Sequence, residues 1–149
     1  MLRAFFCSIG DHFARAVEFL GPRAITSGHA MFELHDRQRL ETERNLWLAT
    51  TCPNGSPHLV PIWFVWLDDK VYLCTSAGSV KARNVIKNPH VSVALENGDD
   101  PVVIQGMAKI LDEPSAEVIE AFQRKFDWNI RGDGTYNAVI EITPSRLIL

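Results

Sequence analysis

The spacing of apolar positions changes along this chain, and each change marks a new element. From about Ala30 to Arg44, Met31, Leu34 and Leu40 recur at helical intervals among alternating acids and bases. The period then drops to two. Leu46 to Thr51 reads as a strand, Pro53-Asn54-Gly55-Ser56 as a hairpin turn because Asn-Gly takes positive φ readily, and His58 to Leu67 as the returning strand. That second strand is apolar on both faces, with Ile62, Phe64 and Trp66 on one and Trp63, Val65 and Leu67 on the other. Both faces need cover: one from a barrel interior, the other from a helix, a ligand or a second subunit.

Asp68-Asp69 turns the chain into a strand from Val71 to Cys74. A helix from about Val80 to Lys87 follows and ends at Asn88-Pro89. Val91 to Glu96 is another alternating strand, and Asn97 to Asp100 forms the next turn. Val102 to Leu111 is a long strand in which Gly106 predicts a bulge or a close backbone approach. A helix begins near Pro114, taken as its first helical residue, with Val118, Ile119, Phe122 and Phe126 as its buried stripe. A last strand runs from Ala138 to about Thr143, and beyond Pro144 the stretch from Arg146 to Leu149 extends it. About six strands joined by hairpins, with three or four helices, predict a mainly β chain forming a closed or partly closed antiparallel barrel. Trp47 and Trp66 are assigned to its core.

The 149 residues suit one domain, and 46% hydrophobic with 22% charged content is that of an ordinary globular protein. Residues 1–30 fit the pattern poorly and read as an extension, with a short helix from Asp11 to Leu20 stopped by Gly21-Pro22; Met31 is then a candidate second start. Residues 31–149 make the barrel domain. The N-terminal apolar stretch is shorter than a signal-peptide core, and no apolar run reaches the ~18 residues that cross a bilayer, so a cytoplasmic location without membrane attachment is expected. Cys7, Cys52 and Cys74 are odd in number and widely spaced, which suits a reducing compartment and excludes a structural zinc pattern. A formal charge of -3 speaks against nucleic-acid binding, including by an oligonucleotide-binding barrel.

Charge is nevertheless uneven. From Lys70 to Leu95 no acid occurs, while Lys70, Lys81, Arg83 and Lys87 do. Within this stretch TSAGSVKARNVIKNP, Thr75 to Pro89, places hydroxyls, a glycine turn and two cations at a helix start. Ser79 is the expected N-cap, leaving the first amides of the helix pointing outward, which attracts anions. Lys81 and Arg83 sit in the first turn, where the helix dipole disfavours them by up to ~1 kcal/mol. A bound phosphate reverses that penalty. The alternative is a capped, solvated helix face.

The pieces WLATTCPNGSPHLVPIWFVW, VYLCTSAGSVKARNVIKNPHVSVALE and PVVIQGMAKIL, spanning about Leu46 to Leu111, resemble in order and spacing the pyridoxamine 5'-phosphate oxidase-like split-barrel superfamily, which binds flavin mononucleotide (FMN) or the deazaflavin F420. The resemblance implies a six-stranded antiparallel Greek-key split β-barrel, a homodimer, and a flavin in the groove between subunits. It implies that Thr75 and Ser76, helped by Ser79, hold the cofactor phosphate, with Lys81 as principal cation and Arg83 second. Pro61, Ile62, Trp63 and Phe64 fall where the family lays a strand backbone along the flavin ring. The implied activity is an FMN-dependent oxidoreductase acting on a small organic substrate. Its alternatives are an F420-dependent reductase on the same fold and a non-catalytic flavin-binding module.

The chain also departs from that pattern. The family's true oxidases are expected to carry arginines where this chain has His58-Leu59 and Val80, which shifts phosphate binding onto Lys81 and Arg83. A longer C-terminal segment for the vitamin substrate is also missing after Leu149, so oxidation of pyridoxine phosphate is not expected. Some relatives handle haem, but His29, His35 and His58 show no paired spacing and no metal site is predicted. No G-x-S-x-G marks a hydrolase. Cys74 reads as a buried strand cysteine despite its cationic neighbours. Trp128 reads as a surface anchor, the alternative being a lid over a partner's site.

Overall fold

The computed structural model describes residues 31–148; the N-terminal extension, with its expected helix, Cys7 and His29, lies outside the described residues. The elements in chain order are α1 (Leu34–Thr42), β1 (Asn45–Thr51), β2 (Pro57–Leu67), β3 (Lys70–Thr75), α2 (Val80–Lys87), β4 (His90–Leu95), β5 (Val103–Leu111), α3 (Ala116–Phe126), a 3-10 turn (Ile130–Gly132) and β6 (Ala138–Leu147). The strands close into one antiparallel barrel in the order β1-β2-β3-β6-β5-β4. This is the Greek-key split barrel that the sequence predicted.

Alternation along the strands sends Leu46, Leu48, Phe64, Val71, Leu73, Val93, Ile104, Ile140 and Ile142 into the barrel, where they form its core. The opposite face of β2 and β3 needs a second cover, and α3 provides it. Val118, Ala121 and Phe122 of this helix pack with Val65, Tyr72, Cys74 and Val139 in a separate cluster. Phe32 meets the edge of Trp66 with ring centroids 4.9 Å apart, so Trp66 closes one part of the core.

Local chemistry sets the boundaries. α1 is shorter than its pattern suggested, because Glu33 and Asp36 form a capping box that starts it at Leu34. Gly55 takes a φ of +84° in the β1–β2 turn, as Asn-Gly requires. Asp68 and Asp69 also have positive φ, and Arg37 of α1 pairs with Asp69, clamping the helix to that hairpin. Pro114 is not the first helical residue of α3. Ser115 is the N-cap, accepting from the Val118 amide at 3.4 Å, so the proline lies just outside the helix.

At Gly106 the β5–β6 register shifts, and a Cβ there would lie 2.6 Å from the Thr143 carbonyl oxygen. The bulge lets β6 continue through Pro144 as one strand to Leu147. Trp47 is not a core residue. Its odd position on β1 points outward, and it is 39% exposed.

Candidate ligand cleft

Strand β3 and helix α2 build the end of the cleft that suits an anion. Thr75, the last residue of β3, is 2% exposed and donates its Oγ1 proton to Ser79 Oγ at 3.2 Å. The same Ser79 oxygen caps α2 by accepting from the Ala82 amide at 3.3 Å. Ser76 contributes its carbonyl, which accepts from the Ser79 amide at 3.0 Å and closes the turn. Among the described residues the Val80 and Lys81 amides find no acceptor, so the helix presents two free donors.

Lys81 extends from this end into a cavity of about 740 Å³. It forms no ion pair among the described residues, and burial alone pushes its ammonium pKa below the ordinary lysine value. Arg83 does not join it. Two residues along a helix turn the side chain by about 200°, and Arg83 lines a separate depression beside Cys52, Pro53 and Asn84 while donating to the Gly78 carbonyl at 2.5 Å. The cleft therefore holds one cation of the two that the motif offers.

Strand β2 forms the opposite wall. Pro61, Ile62 and Trp63 line the cavity, whereas the Phe64 side chain is 0% exposed inside the barrel, under the Lys125 ammonium at 4.0 Å from its ring centre. Of Phe64, only the backbone remains for a ligand.

Several lining residues were not singled out from the sequence. Asn45 pairs across the strands with Trp63 and donates to Glu96 at 3.4 Å, so the ends of β1 and β4 bring an amide and a carboxylate to the rim. The loop after α3 adds Asp133 and Tyr136, together with Trp128, which the sequence singled out as a surface anchor and which lines the cleft of its own chain. Asp133 accepts from the Tyr136 and Thr135 amides at 3.0 and 2.9 Å and from Trp128 Nε1 at 3.0 Å; these bonds hold its pKa below the usual carboxylate value. The loop is also pinned to the cradle, because Asn137 Oδ1 accepts from the Ala77 amide at 3.0 Å. Asn and Asp at turn positions were the available signal in DWNIRGDGTYN, but the partner of Asn137 lies 60 residues away in the turn before α2.

Cys74 lines the cleft with its thiol directed to the Tyr136 carbonyl at 3.3 Å. Burial, and secondarily Asp133, pushes its pKa up to about 11, so it stands in the neutral thiol form. Among the described residues no histidine lines this cavity, and no three His, Cys, Asp or Glu side chains cluster as a metal site would require. No described helix is long and apolar enough to cross a membrane.

A closed six-stranded antiparallel barrel with flanking helices is the architecture of the split-barrel class. Residues 33–149 match the family model described as pyridoxamine 5'-phosphate oxidase, and the chain belongs to that family. Among solved structures, it is similar to conserved hypothetical protein Rv2991 from Mycobacterium tuberculosis, with 29% identity over 82% of this chain and 86% of that one and a TM-score of 0.66. HutZ, the heme storage protein from Vibrio cholerae, is 21% identical over 76% and 90% of the two chains, with a TM-score of 0.64. An F420 reductase is 20% identical over 74% and 94%, with a TM-score of 0.62. These last two likenesses concern the fold. The search of curated proteins gave no significant match.

Proposed function

We propose that the cleft binds FMN and that the protein is a cytoplasmic flavin-dependent oxidoreductase acting on a small organic molecule. The observation that carries this reading is the unpaired Lys81 ammonium, half-buried beside the free amides at the start of α2. A desolvated cation at a helix N-terminus is unfavourable until an anion joins it. In this reading Thr75, Ser76 and Ser79 complete the phosphate cradle, Arg83 contributes from outside the cleft through long-range charge, and Pro61 to Phe64 present strand backbone to the ring. The flavin supplies hydride or electron transfer when bound. The chain's residues orient it, keep water from its face and tune it through backbone hydrogen bonds. With Cys74 neutral and no histidine in the cleft among the described residues, no side chain is assigned as acid or base.

F420 is the second reading, since the family includes users of both cofactors. The charge of the cleft favours FMN over it: Lys81 is the cation there, whereas Glu96 and Asp133 face the same space and oppose a long acidic tail. A non-catalytic flavin-binding module is separated from an enzyme by turnover of the reduced flavin with a quinone or enone acceptor.

A homodimer with the cofactor at the subunit interface is part of the proposal. Its support is the outer face of β1 and β2, where Asn45, Trp47, Ala49, Thr51, Pro57, Leu59, Pro61 and Trp63 pair across the ladder without a charge. Trp47, Leu59 and Trp63 on this face are 39, 60 and 43% exposed. An apolar patch of this kind is better covered by a second copy than left in water. A single-chain mass in sedimentation equilibrium at micromolar concentration removes this part of the proposal.

FMN titration of the wild type and Lys81→Ala, followed by flavin fluorescence, tests the cofactor reading. Removing a charge-assisted phosphate contact costs about 1.5–3 kcal/mol, or roughly 10- to 150-fold in Kd. Unchanged affinity refutes the cradle.

A further inference from the structure

The far wall of the cleft from Lys81 is made of rings at fixed angles. Trp63 stacks on Phe126 of α3 with centroids 4.7 Å apart and planes 5° from parallel. Phe126 thus covers one face of Trp63, and the Arg44 guanidinium braces both rings at 5.2 and 5.0 Å. Trp63 still keeps 43% of its surface exposed and lines the cavity, so part of its exposed surface belongs to the cleft.

Trp128 stands nearly upright beside it. The two indoles cross at 73° with centroids 6.3 Å apart. Trp128 also meets Phe122 at 83° and 5.7 Å and Tyr136 at 88° and 5.5 Å, and its Nε1 donates to Asp133. Three ring contacts and one charge-assisted hydrogen bond leave this indole little freedom to swing. The Asp133 carboxylate is itself fixed by two loop amides. Two indoles crossed at 73° on one wall of the cleft make an angled corner.

We propose that the Trp63–Trp128 corner is a subsite for a flat conjugated ring, with Trp128 as the residue that determines which ring shapes enter and Asp133 as the positioning residue that locks it. A planar ring lying on Trp63 gains offset stacking below and an edge contact with Trp128 at its side. A puckered saturated ring of the same size cannot approach both surfaces. The proposal rests on the cleft being the ligand site, and it extends that reading from the phosphate end to the ring end. Two sources supply such a ring: the flavin itself or a conjugated acceptor that docks beside it.

The test uses the full chain and three probes: riboflavin, which has the ring without the phosphate, FMN, and a naphthoquinone titrated into FMN-loaded protein. Quenching of tryptophan and flavin fluorescence reports binding without reliance on turnover. Loss of the aromatic wall in Trp128→Ala is expected to weaken ring binding by about three- to tenfold. Equal weakening of riboflavin and FMN assigns the corner to the cofactor ring. Weakening of the naphthoquinone alone assigns it to the acceptor. Trp128→Phe keeps a ring and is expected to restore most of the affinity, whereas Asp133→Ala frees the indole and is expected to reproduce part of the loss with tryptophan fluorescence anisotropy lowered. If every probe binds folded Trp128→Ala and Asp133→Ala as it binds the wild type, the proposal is overturned. Failure of the FMN reading looks different: the wild type then binds FMN no better than riboflavin and Lys81→Ala leaves both affinities unchanged, while the corner still takes the flat probes.

Discussion

Replacing Lys125 by Met should stabilise the protein at neutral pH, although it deletes three visible contacts, one of them with the Phe126 ring at 5.7 Å. The Lys125 ammonium lies 4.0 Å from the centre of the Phe64 ring and 3.5 Å from the Leu40 carbonyl oxygen. Burial lowers its pKa from 10.5 to about 8, with the positive charge of Arg44 acting in the same direction. Between those two values the unfolded chain binds more protons than the folded one, so stability rises with pH from about 8 to 10.5. Below that window the lysine is charged in both states and its desolvation penalty is fully present. Taken at face value the shift corresponds to ~3 kcal/mol. Water reaching the half-exposed ammonium, together with the ring contact, reduces the net penalty to about 1 kcal/mol. Methionine fills similar space without a charge. Urea unfolding at pH 7 should therefore show Lys125→Met more stable by about 1 kcal/mol, with the gain shrinking towards zero by about pH 10. A loss at pH 7, or a gain that does not change with pH, contradicts a desolvated ammonium at this position.

Gly106→Ala should cost about 1–3 kcal/mol, since the new methyl meets the Thr143 carbonyl at 2.6 Å and Ile142 Cγ2 at 3.0 Å and the bulge must shift; an unchanged urea midpoint contradicts this. Glu141→Gln should cost about 1–2 kcal/mol, discounted for the solvent around its lysines. Its carboxylate lies 3.1 Å from Lys109 Nζ, 3.2 Å from Lys70 Nζ and 3.2 Å from Tyr72 Oη. Burial raises the Glu141 pKa, but Lys109, Lys70 and Tyr72 more than offset it and the net value falls below 4.5. That contribution is complete above pH 4.5 and is lost as pH falls through the folded value, so the variant should lose stability less steeply on acidification. Parallel acid-unfolding curves for the two proteins would count against it.

The barrel was legible because its information is local. Strand alternation, Asn54-Gly55, the Asp68-Asp69 turn and Ser79 each act within a few residues, and the helix from Val80 to Lys87 falls where its cap and Pro89 place it. Trp47 was misassigned because alternation gives a side chain's parity and not which parity faces inward; the neighbouring Leu46 and Leu48 take the interior. Pro114 was misplaced by one cap because two start signals, proline and Ser115, stand side by side. At the cleft, Thr75 and Lys81 follow from the motif, and the separation of Lys81 from Arg83 was already implicit in helical geometry. Asn45, Glu96 and Asp133 were not legible, since strand closure and a hydrogen-bonded loop bring them to the rim from distant parts of the chain.

The position of β6 in the barrel has a consequence for the order of events during folding. This strand lies between β3 and β5, pairing Ala138 with Thr75 and Leu147 with Ile104. The cradle's turn is tied to Asn137 across a sequence separation of 60 residues. A nascent chain that has released everything through α3 still has an unpaired β3 edge and lacks the Asn137 anchor of the turn before α2. The cleft is thus completed only after the hairpins, and closure entropy over so long a loop makes its assembly slow relative to them. Until then the β3 edge is open to pairing with other chains, which makes the ten-residue strand β6 the element that ends this aggregation risk.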